Sequence, residues 1–305
     1  MKILVATDKP FAKAAVDQIR KVVEDGGHEL ALLEKYTEPQ QLYDASADVD
    51  AMIVRSDLVT PEVVQAAKNL KIVVRAGAGY DNINLPACTE KGIVVMNTPG
   101  QNSNAVAELA FGMMVSIARG QYDGKTGSEL RHKKIGIHAY GNVGKYVAKI
   151  ARGFGMEVYA YDPFVNPAIM LEDKIKTFQT VEELYMRCDY ISLHIPANDK
   201  TKKSIGYDLV KLMPKGGTLV NTARKEVINE EGLLKIMNER TDLKYVSDIQ
   251  PDALEEFNKL GVRVFFTPKK MGAQTEEANI NSGIAAARQI VNFFKTGDKT
   301  YQVNK

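Results

Sequence analysis

Cysteine is scarce in this sequence: the 305 residues contain two, Cys88 and Cys188. They lie far apart, and neither belongs to a Cys-x-x-Cys motif or a Cys/His cluster, which argues against a zinc or redox motif. We interpret both as small buried hydrophobic residues. The pattern therefore predicts no metal site and no oxidising compartment.

The sequence also lacks long apolar runs and a large excess of charge of either sign. No run approaches the ~18 apolar residues that a membrane helix needs, and the apolar start of the chain stops at Thr7, too early for a signal peptide. Lys and Arg number 40 against 38 Asp and Glu, a net charge of +2 that gives no reason to expect nucleic acid as a partner. We expect a water-soluble, cytosolic protein.

What the sequence does contain is a regular alternation of strand-like and helix-like segments. Short apolar runs predict strands at 1–6, 29–33, 51–54, 71–74, 93–96, 135–138, 157–161, 190–193, 218–220, 244–246 and 262–266. Helical spacing separates them, for example at 61–68 and 142–154, and Thr180 with Glu183 forms a capping box at another helix start. This β-α-β-α order predicts parallel sheets covered on both faces.

The strands fall into two sets, which predict two doubly wound α/β domains, residues 1–100 and 101–273. The last helix carries an apolar stripe of Ile280, Ile284, Ala287, Val291 and Phe294. No strand follows it to extend the second sheet. We therefore expect residues 274–305 to return to the first domain, making that domain discontinuous.

A glycine-containing turn at 139–144 follows one predicted strand and opens a helix. This is where a Rossmann-like domain binds a dinucleotide, with the pyrophosphate at the helix N-terminus. Gly141 would admit the pyrophosphate close to the backbone, and Gly144 would let the helix pack on the strand. Ala139 occupies the place of the usual first glycine. The motif alone is weak, and a simple tight turn is the alternative.

Asp162 strengthens this interpretation, because it lies 18 residues after Gly144 at the end of the next predicted strand. An acid there can accept hydrogen bonds from the adenosine ribose and repels a 2′-phosphate. The alternative is an acid that caps a turn before Pro163. Together, the turn and the acid predict NAD as the cofactor.

Three segments further along carry catalytic residue types. Arg224 follows a predicted strand, where a guanidinium can hold a 2-hydroxy or 2-keto acid by paired hydrogen bonds. Asp248 ends the next strand, and the loop 267–275 follows the strand after that. A surface arginine is the ordinary interpretation of any single Arg.

With these segments the sequence resembles the D-2-hydroxyacid dehydrogenase family over nearly its whole length. Residues 75–82 are similar to the substrate loop of the family, residues 97–108 to its crossover into the long cofactor-domain helix, and 192–196 to the loop beside the nicotinamide. The resemblance implies a Rossmann-like NAD domain, a flavodoxin-like discontinuous substrate domain, and a homodimer formed through the NAD domain. It also implies the following site residues: for substrate, Arg55, Ser56, Arg75, Gly77, Gly79 and Asn102; for cofactor, Gly141, Asn142, Val143, Gly144, Asp162, His194, Pro196, Thr201, Thr222, Ala223, Asp248 and Gly272; for catalysis, Arg224 and Lys269.

Residues 54–56 resemble the branch of the family that acts on 3-phosphoglycerate, in which Arg55 would meet the phosphate. Arg75, and less directly Arg131, could add positive charge. The alternative for Arg55 is a solvated residue at a strand end. The chain ends soon after its last helix, so the resemblance predicts the short form, without a C-terminal effector-binding domain.

The sequence departs from the family pattern at the acid–base pair. Lys269 stands where the family has its catalytic histidine, and Ala253 stands where it has the partner glutamate, with Asp252 the nearest carboxylate. The four histidines lie elsewhere, at His28, His132, His138 and His194. A glutamate would raise the pKa of a lysine, so its loss is consistent with Lys269 as a base whose pKa is lowered by burial or nearby cations. The alternatives are that Lys269 is a solvated loop lysine in an inactive site, or that Lys270 is the base.

The resemblance therefore implies NAD-dependent oxidation of 3-phospho-D-glycerate to 3-phosphohydroxypyruvate, a reaction that resembles the first step of serine synthesis. A reductase for glyoxylate, hydroxypyruvate or another small 2-keto acid is the second possibility. A corepressor-like protein that senses NAD without turnover is the third, and Arg224 argues against it because a sensor needs no substrate arginine.

Overall fold

The computed structural model describes residues 1–304, and these divide into two compact units. Unit 1 comprises Met1–Asn102 and Gln274–Lys305, and unit 2 comprises Ser103–Ala273. Each unit has its own parallel sheet and its own buried apolar core. The predicted fold class, two doubly wound α/β domains, is confirmed.

Unit 1 is built on a five-stranded parallel sheet of order β2-β1-β3-β4-β5. Its strands are β1 (Lys2–Thr7), β2 (Glu29–Glu34), β3 (Ala51–Val54), β4 (Ile72–Arg75) and β5 (Val94–Asn97). Its helices are α1 (Lys13–Asp25), α2 (Pro39–Ser46), α3 (Pro61–Ala66), α4 (Leu85–Glu90) and, from the C-terminal segment, α12 (Glu276–Thr296). The sheet order reverses between β1 and β3, which is where doubly wound sheets of this order bind ligands.

Unit 2 is built on a seven-stranded parallel sheet of order β12-β11-β10-β9-β6-β7-β8. Its strands are β6 (Lys134–His138), β7 (Glu157–Tyr161), β8 (Lys176–Thr177), β9 (Tyr190–Leu193), β10 (Thr218–Asn221), β11 (Lys244–Ser247) and β12 (Val264–Phe266). Its helices are α5 (Ser103–Ala118), α6 (Asn142–Gly153), α7 (Pro167–Glu172), α8 (Val181–Arg187), α9 (Tyr207–Val210), α10 (Glu230–Glu239) and α11 (Leu254–Asn258). Here the order reverses between β6 and β9.

Continuous apolar runs form the strands because both faces of each sheet are covered by helices. All four residues of β3 are buried, as are all four of β9, and these two strands have the predicted limits. The predicted capping box at the start of α8 is also present, with Thr180 accepting from the Glu183 N–H. The two-residue β8 was missed, since so short an edge strand leaves no periodic pattern.

Helix α12 buries a different face from the predicted stripe. Its buried residues are Ala278, Ser282, Gly283, Ala286, Ala287 and Ile290, so Ala287 alone of the predicted stripe is fully buried. The reason is the close approach of α12 to α1: a Cβ atom at Gly283 would lie 2.7 Å from the Ile19 side chain. Small residues therefore occupy the contact, and the larger apolar residues flank it.

Among the described residues, no helix is both long enough and apolar enough to cross a membrane.

Candidate active site

The turn between β6 and α6 has the geometry of a phosphate-binding loop. A Cβ atom at Gly144 would lie 2.5 Å from the Ala139 carbonyl oxygen, so only glycine allows the helix to begin this close to the strand. Gly141 caps the helix and is exposed, and a Cβ there would meet no atom within 4 Å. Asn142 and Val143 form the first turn of α6, whose free N–H groups suit a phosphate.

Asp162 lies at the end of β7, directly beside this turn. One carboxylate oxygen accepts a hydrogen bond from the Tyr140 N–H at 2.8 Å, and the other accepts one from the Phe164 N–H at 2.9 Å. The side chain is half-buried, and each oxygen keeps lone pairs for further donors. The residues present therefore fit the adenosine half of NAD, with the phosphates at α6 and the ribose hydroxyls at Asp162.

The ends of β9 and β10 place a second group of predicted cofactor residues together. His194 Nε2 lies 2.9 Å from Ser192 Oγ, and its Nδ1 lies 3.5 Å from Thr222 Oγ1. Burial, with a smaller effect from His138, lowers the pKa of His194 to about 3. His194 is therefore neutral at physiological pH and too weakly basic to accept a substrate proton.

Thr201 and Pro196 hold the loop that follows His194. Thr201 Oγ1 donates to the Pro196 carbonyl oxygen and accepts from the Asn198 N–H at 2.9 Å. After the buried Ile195, the loop as far as Thr201 is exposed apart from Ala197 and Thr201, which are half-buried. The hydrogen bonds of Thr201 within the loop therefore hold its backbone in this conformation.

Arg224 and Lys270 share one acceptor at the carboxyl end of β10. Lys270 Nζ donates to the Ala223 carbonyl oxygen, and Arg224 Nη1 donates to the same oxygen at 3.4 Å. Burial, and then the charge of Arg224, lowers the pKa of Lys270 to about 8. The Lys269 side chain, by contrast, is exposed. The geometry favours Lys270 over Lys269 as the acid–base group beside Arg224.

Asp248 holds the loop that carries the two lysines. Its buried carboxylate accepts from the Met271 N–H at 2.6 Å, the Gly272 N–H at 2.8 Å and Thr267 Oγ1 at 3.3 Å. A Cβ at Gly272 would lie 2.7 Å from Asp248 Oδ2, so the glycine lets the loop reach the carboxylate. The predicted cofactor residues Asp248 and Gly272 thus form a clamp on the lysine loop.

Asp252 does not take the place of the family's glutamate in this arrangement. Its exposed carboxylate pairs with Lys225 Nζ at 2.5 Å, while its backbone N–H and that of Ala253 donate to the Glu230 carboxylate. Asp252 therefore anchors a surface turn.

Unit 1 carries the predicted substrate residues at the ends of β3 and β4. Arg55 is half-buried and Ser56 is exposed, directly after β3. Arg75 Nε donates to the Arg55 carbonyl oxygen at 3.0 Å, and a Cβ at Gly77 would overlap the Arg75 guanidinium, 1.4 Å from Nη1. Gly77 is thus the residue that leaves room for Arg75. Gly79 and Asn102 are half-buried and lie in the loops after β4 and β5.

Two residues that shape this part of unit 1 were missed from the sequence as site residues. Asn82 Nδ2 donates to the carbonyl oxygens of Asp57 at 2.7 Å and Arg55 at 3.3 Å. The buried Asp57 carboxylate accepts from the Tyr36 hydroxyl and the Asp8 N–H, both at 2.7 Å. Asp57 had a usable signal, since it follows Arg55 and Ser56 at a strand end, and Asn82 ends the recognised substrate loop.

Comparison with known proteins gives the family. Residues 104–268 match the family described as D-isomer specific 2-hydroxyacid dehydrogenase, NAD binding domain. This chain belongs to that family. The predicted resemblance and the predicted NAD-binding domain are confirmed.

Proteins similar to this chain include some named for a phosphorylated substrate and one named for an unphosphorylated substrate. D-3-phosphoglycerate dehydrogenase of Methanocaldococcus jannaschii is 36% identical over 267 residues, which is 82% of this chain and 51% of that protein. Hydroxypyruvate reductase of Thermotoga maritima is 36% identical over 284 residues, covering 86% of this chain and 90% of the reductase. The chain thus spans about half the length of the first relative.

A solved structure extends the similarity to the whole chain. The NAD+-bound crystal structure of 3-phosphoglycerate dehydrogenase from Entamoeba histolytica is 48% identical, with a TM-score of 0.88, and the match covers 100% of this chain and 99% of the other.

Ala139 is a strained residue in the NAD-binding turn of this family member. Its φ of 83° lies in the left-handed region, which glycine adopts freely and alanine does not. We predict that Ala139→Gly raises the free energy of unfolding by about 0.5–1 kcal/mol, because relief of strain exceeds the added entropy of the unfolded chain. Thermal unfolding measures this; an unchanged or lower melting temperature would contradict the strain.

Asp162 is predicted to set the preference for NAD over NADP. Asp162→Asn should weaken NADH binding by about 10–150-fold, because charge-assisted hydrogen bonds to the ribose are lost. It should also reduce the difference in affinity between NADH and NADPH. Fluorescence titration with both nucleotides measures it. Asp199→Asn, a change at a fully exposed acid, is the control. Equal affinity of the unmodified chain for both nucleotides would exclude Asp162 as the selector.

Proposed function

We propose that the chain oxidises 3-phospho-D-glycerate to 3-phosphohydroxypyruvate with NAD, the first step of serine synthesis. The observation that carries this proposal is the pair of arginines on adjacent strand ends of unit 1. Val54 at the end of β3 pairs with Arg75 at the end of β4, and Arg55 follows directly. Two guanidiniums at neighbouring positions are suited to a phosphate dianion.

Catalytic roles follow from the cluster in unit 2. Arg224 binds the substrate carboxylate and the reacting C2 oxygen, where a bidentate guanidinium fixes orientation. Lys270, in its neutral form, accepts the C2 hydroxyl proton during oxidation, and its ammonium returns the proton during reduction. When bound, NAD supplies the hydride acceptor. Asp248 keeps the lysine loop in place through its three hydrogen bonds.

The Thermotoga relative supports a second candidate, reduction of hydroxypyruvate, because the chain covers 90% of that enzyme. The two candidates differ in the phosphate. If Arg55 and Arg75 bind it, each charge-assisted contact contributes about 1.5–3 kcal/mol, so kcat/KM should favour the phosphorylated substrate by at least about 100-fold.

The test follows NADH absorbance with 3-phosphoglycerate, D-glycerate, phosphohydroxypyruvate, hydroxypyruvate and glyoxylate. Preference for the phosphorylated pair supports the proposal, and preference for hydroxypyruvate or glyoxylate replaces it with the reductase. Binding of NADH without turnover of any substrate would instead favour a sensor. We further propose a homodimer formed through unit 2, as in the family, which light scattering would test.

A further inference from the structure

The Arg55 guanidinium is held in one orientation by its surroundings in unit 1. Nη1 donates to the Lys9 carbonyl oxygen at 3.0 Å and to that of Pro10 at 3.4 Å. Nη2 donates to Asn279 Oδ1 at 2.7 Å, and the face of the group lies 5.0 Å from the centre of the Phe11 ring. Nε makes no hydrogen bond with any residue in the described range 1–304, so Nε and the second hydrogen of Nη2 are the donors left for a ligand.

Within residues 1–304, Asn279 is the one side chain that hydrogen-bonds this guanidinium. It belongs to an element that is distant from Arg55 in the sequence. It lies in the first turn of α12, 224 residues after Arg55. The Thr275 cap fixes that turn: its hydroxyl accepts from the Ala278 N–H at 3.1 Å, and its carbonyl oxygen accepts from the Asn279 N–H at 3.2 Å. The amide therefore approaches Arg55 from a rigid helix start.

The chemistry of an amide partner differs from that of a carboxylate. An amide oxygen holds a guanidinium by a hydrogen bond and adds no negative charge to that of the Asp57 and Asp8 carboxylates, which already act on Arg55. A carboxylate in the same place would form an ion pair and repel an approaching anion. Asn279 thus fixes the orientation of Arg55 without neutralising more of its charge, which suits an arginine that binds a phosphate.

We propose that Asn279 is a positioning residue that presents Arg55 to the phosphate of the substrate and so contributes to selectivity for phosphorylated substrates. The inference rests on the proposed function, since it assigns Asn279 to the same phosphate. Without the amide, Nη2 loses its fixed partner while Nη1 keeps its two backbone acceptors, so ordering the rest of the guanidinium should weaken substrate binding by up to about 10-fold.

The test compares steady-state kinetics with phosphohydroxypyruvate and hydroxypyruvate in the full chain. Asn279→Ala should raise KM by up to about 10-fold for the phosphorylated substrate, with kcat and the KM for hydroxypyruvate unchanged. Asn279→Asp should raise the KM for phosphohydroxypyruvate further, to roughly 100-fold, because it adds a competing negative charge. An acid in the first turn of a helix favours the helix, so a folding defect is not expected for this variant.

Two controls separate positioning from a general structural role. Asn292→Ala makes the same substitution at an exposed site on α12 and should leave kcat and KM unchanged for both substrates. In an Arg55→Ala background, Asn279→Ala should add no further loss, because the group that it positions is gone.

The outcomes are distinct. A wild-type chain that shows no preference for phosphohydroxypyruvate overturns the proposed function and this inference with it. A wild-type preference that Asn279→Ala leaves intact, or an equal loss for both substrates, overturns the inference alone. The inference is also overturned if Asn279→Ala raises KM for phosphohydroxypyruvate in the Arg55→Ala background as much as it does in the wild-type chain.

Discussion

We expect Lys270→Met to lower kcat/KM by about 100-fold or more in both reaction directions and to leave NADH affinity little changed. Methionine is close to lysine in length and has no ionisable proton. With a pKa of about 8, roughly one Lys270 in ten is a free amine at pH 7, whereas at the ordinary value of 10.5 the fraction is roughly one in 3,000. The burial that lowers this pKa therefore makes Lys270 a usable base.

The pH profiles give an independent check of the same assignment. Oxidation needs the neutral amine, so its kcat/KM should rise with pH through about 8; reduction needs the ammonium and should fall through the same range. Lys269→Met, at the exposed neighbour, is the matched control and should change turnover by less than about 3-fold. If Lys269→Met causes the larger loss, proton transfer belongs to Lys269 instead.

Asp248→Ala is the other substitution for which we expect a large effect. It should lower both the stability of the protein and its turnover. It leaves the Met271 and Gly272 N–H groups without their acceptor, which costs about 1–3 kcal/mol for each group that stays buried. We expect the free energy of unfolding to fall by about 2–5 kcal/mol and the melting temperature by roughly 5–15 °C. Since the clamp fixes the lysine loop, kcat should fall as well, at temperatures where the variant is folded.

Asp252→Ala is the matched control for this prediction. It removes an exposed carboxylate paired with Lys225, an interaction that contributes about 0–1 kcal/mol. Stability and kcat should change little. A large loss of kcat in Asp252→Ala, with Asp248→Ala near normal, would show that Asp252 has taken over from the family's glutamate and that the clamp is unimportant.

The sequence predicted the fold where the signal was local. Strands β3 and β9 have the limits expected from their apolar runs, because strands buried on both faces are largely apolar. Strand β7 also has its predicted limits, although Glu157 is exposed and its two tyrosines are only half-buried. The cap of α8 was equally readable, since its two partners lie three residues apart. The buried face of α12 was not, because it depends on how closely α1 approaches at Gly283.

The sequence alone determined the residue types and spacings of the site: a tight turn with Gly144, an acid at Asp162, an arginine at 224 and two lysines after Thr267-Pro268. These are fixed by chain order, because consecutive strands of a parallel sheet deliver their loops to the same edge. Only the tertiary structure separates Lys270, half-buried with its Nζ on the Ala223 carbonyl oxygen, from the exposed Lys269, because the burial of neighbouring loop side chains depends on the packing around them. It alone joined Asn279 to Arg55, because a contact across 224 residues leaves no trace in any local pattern.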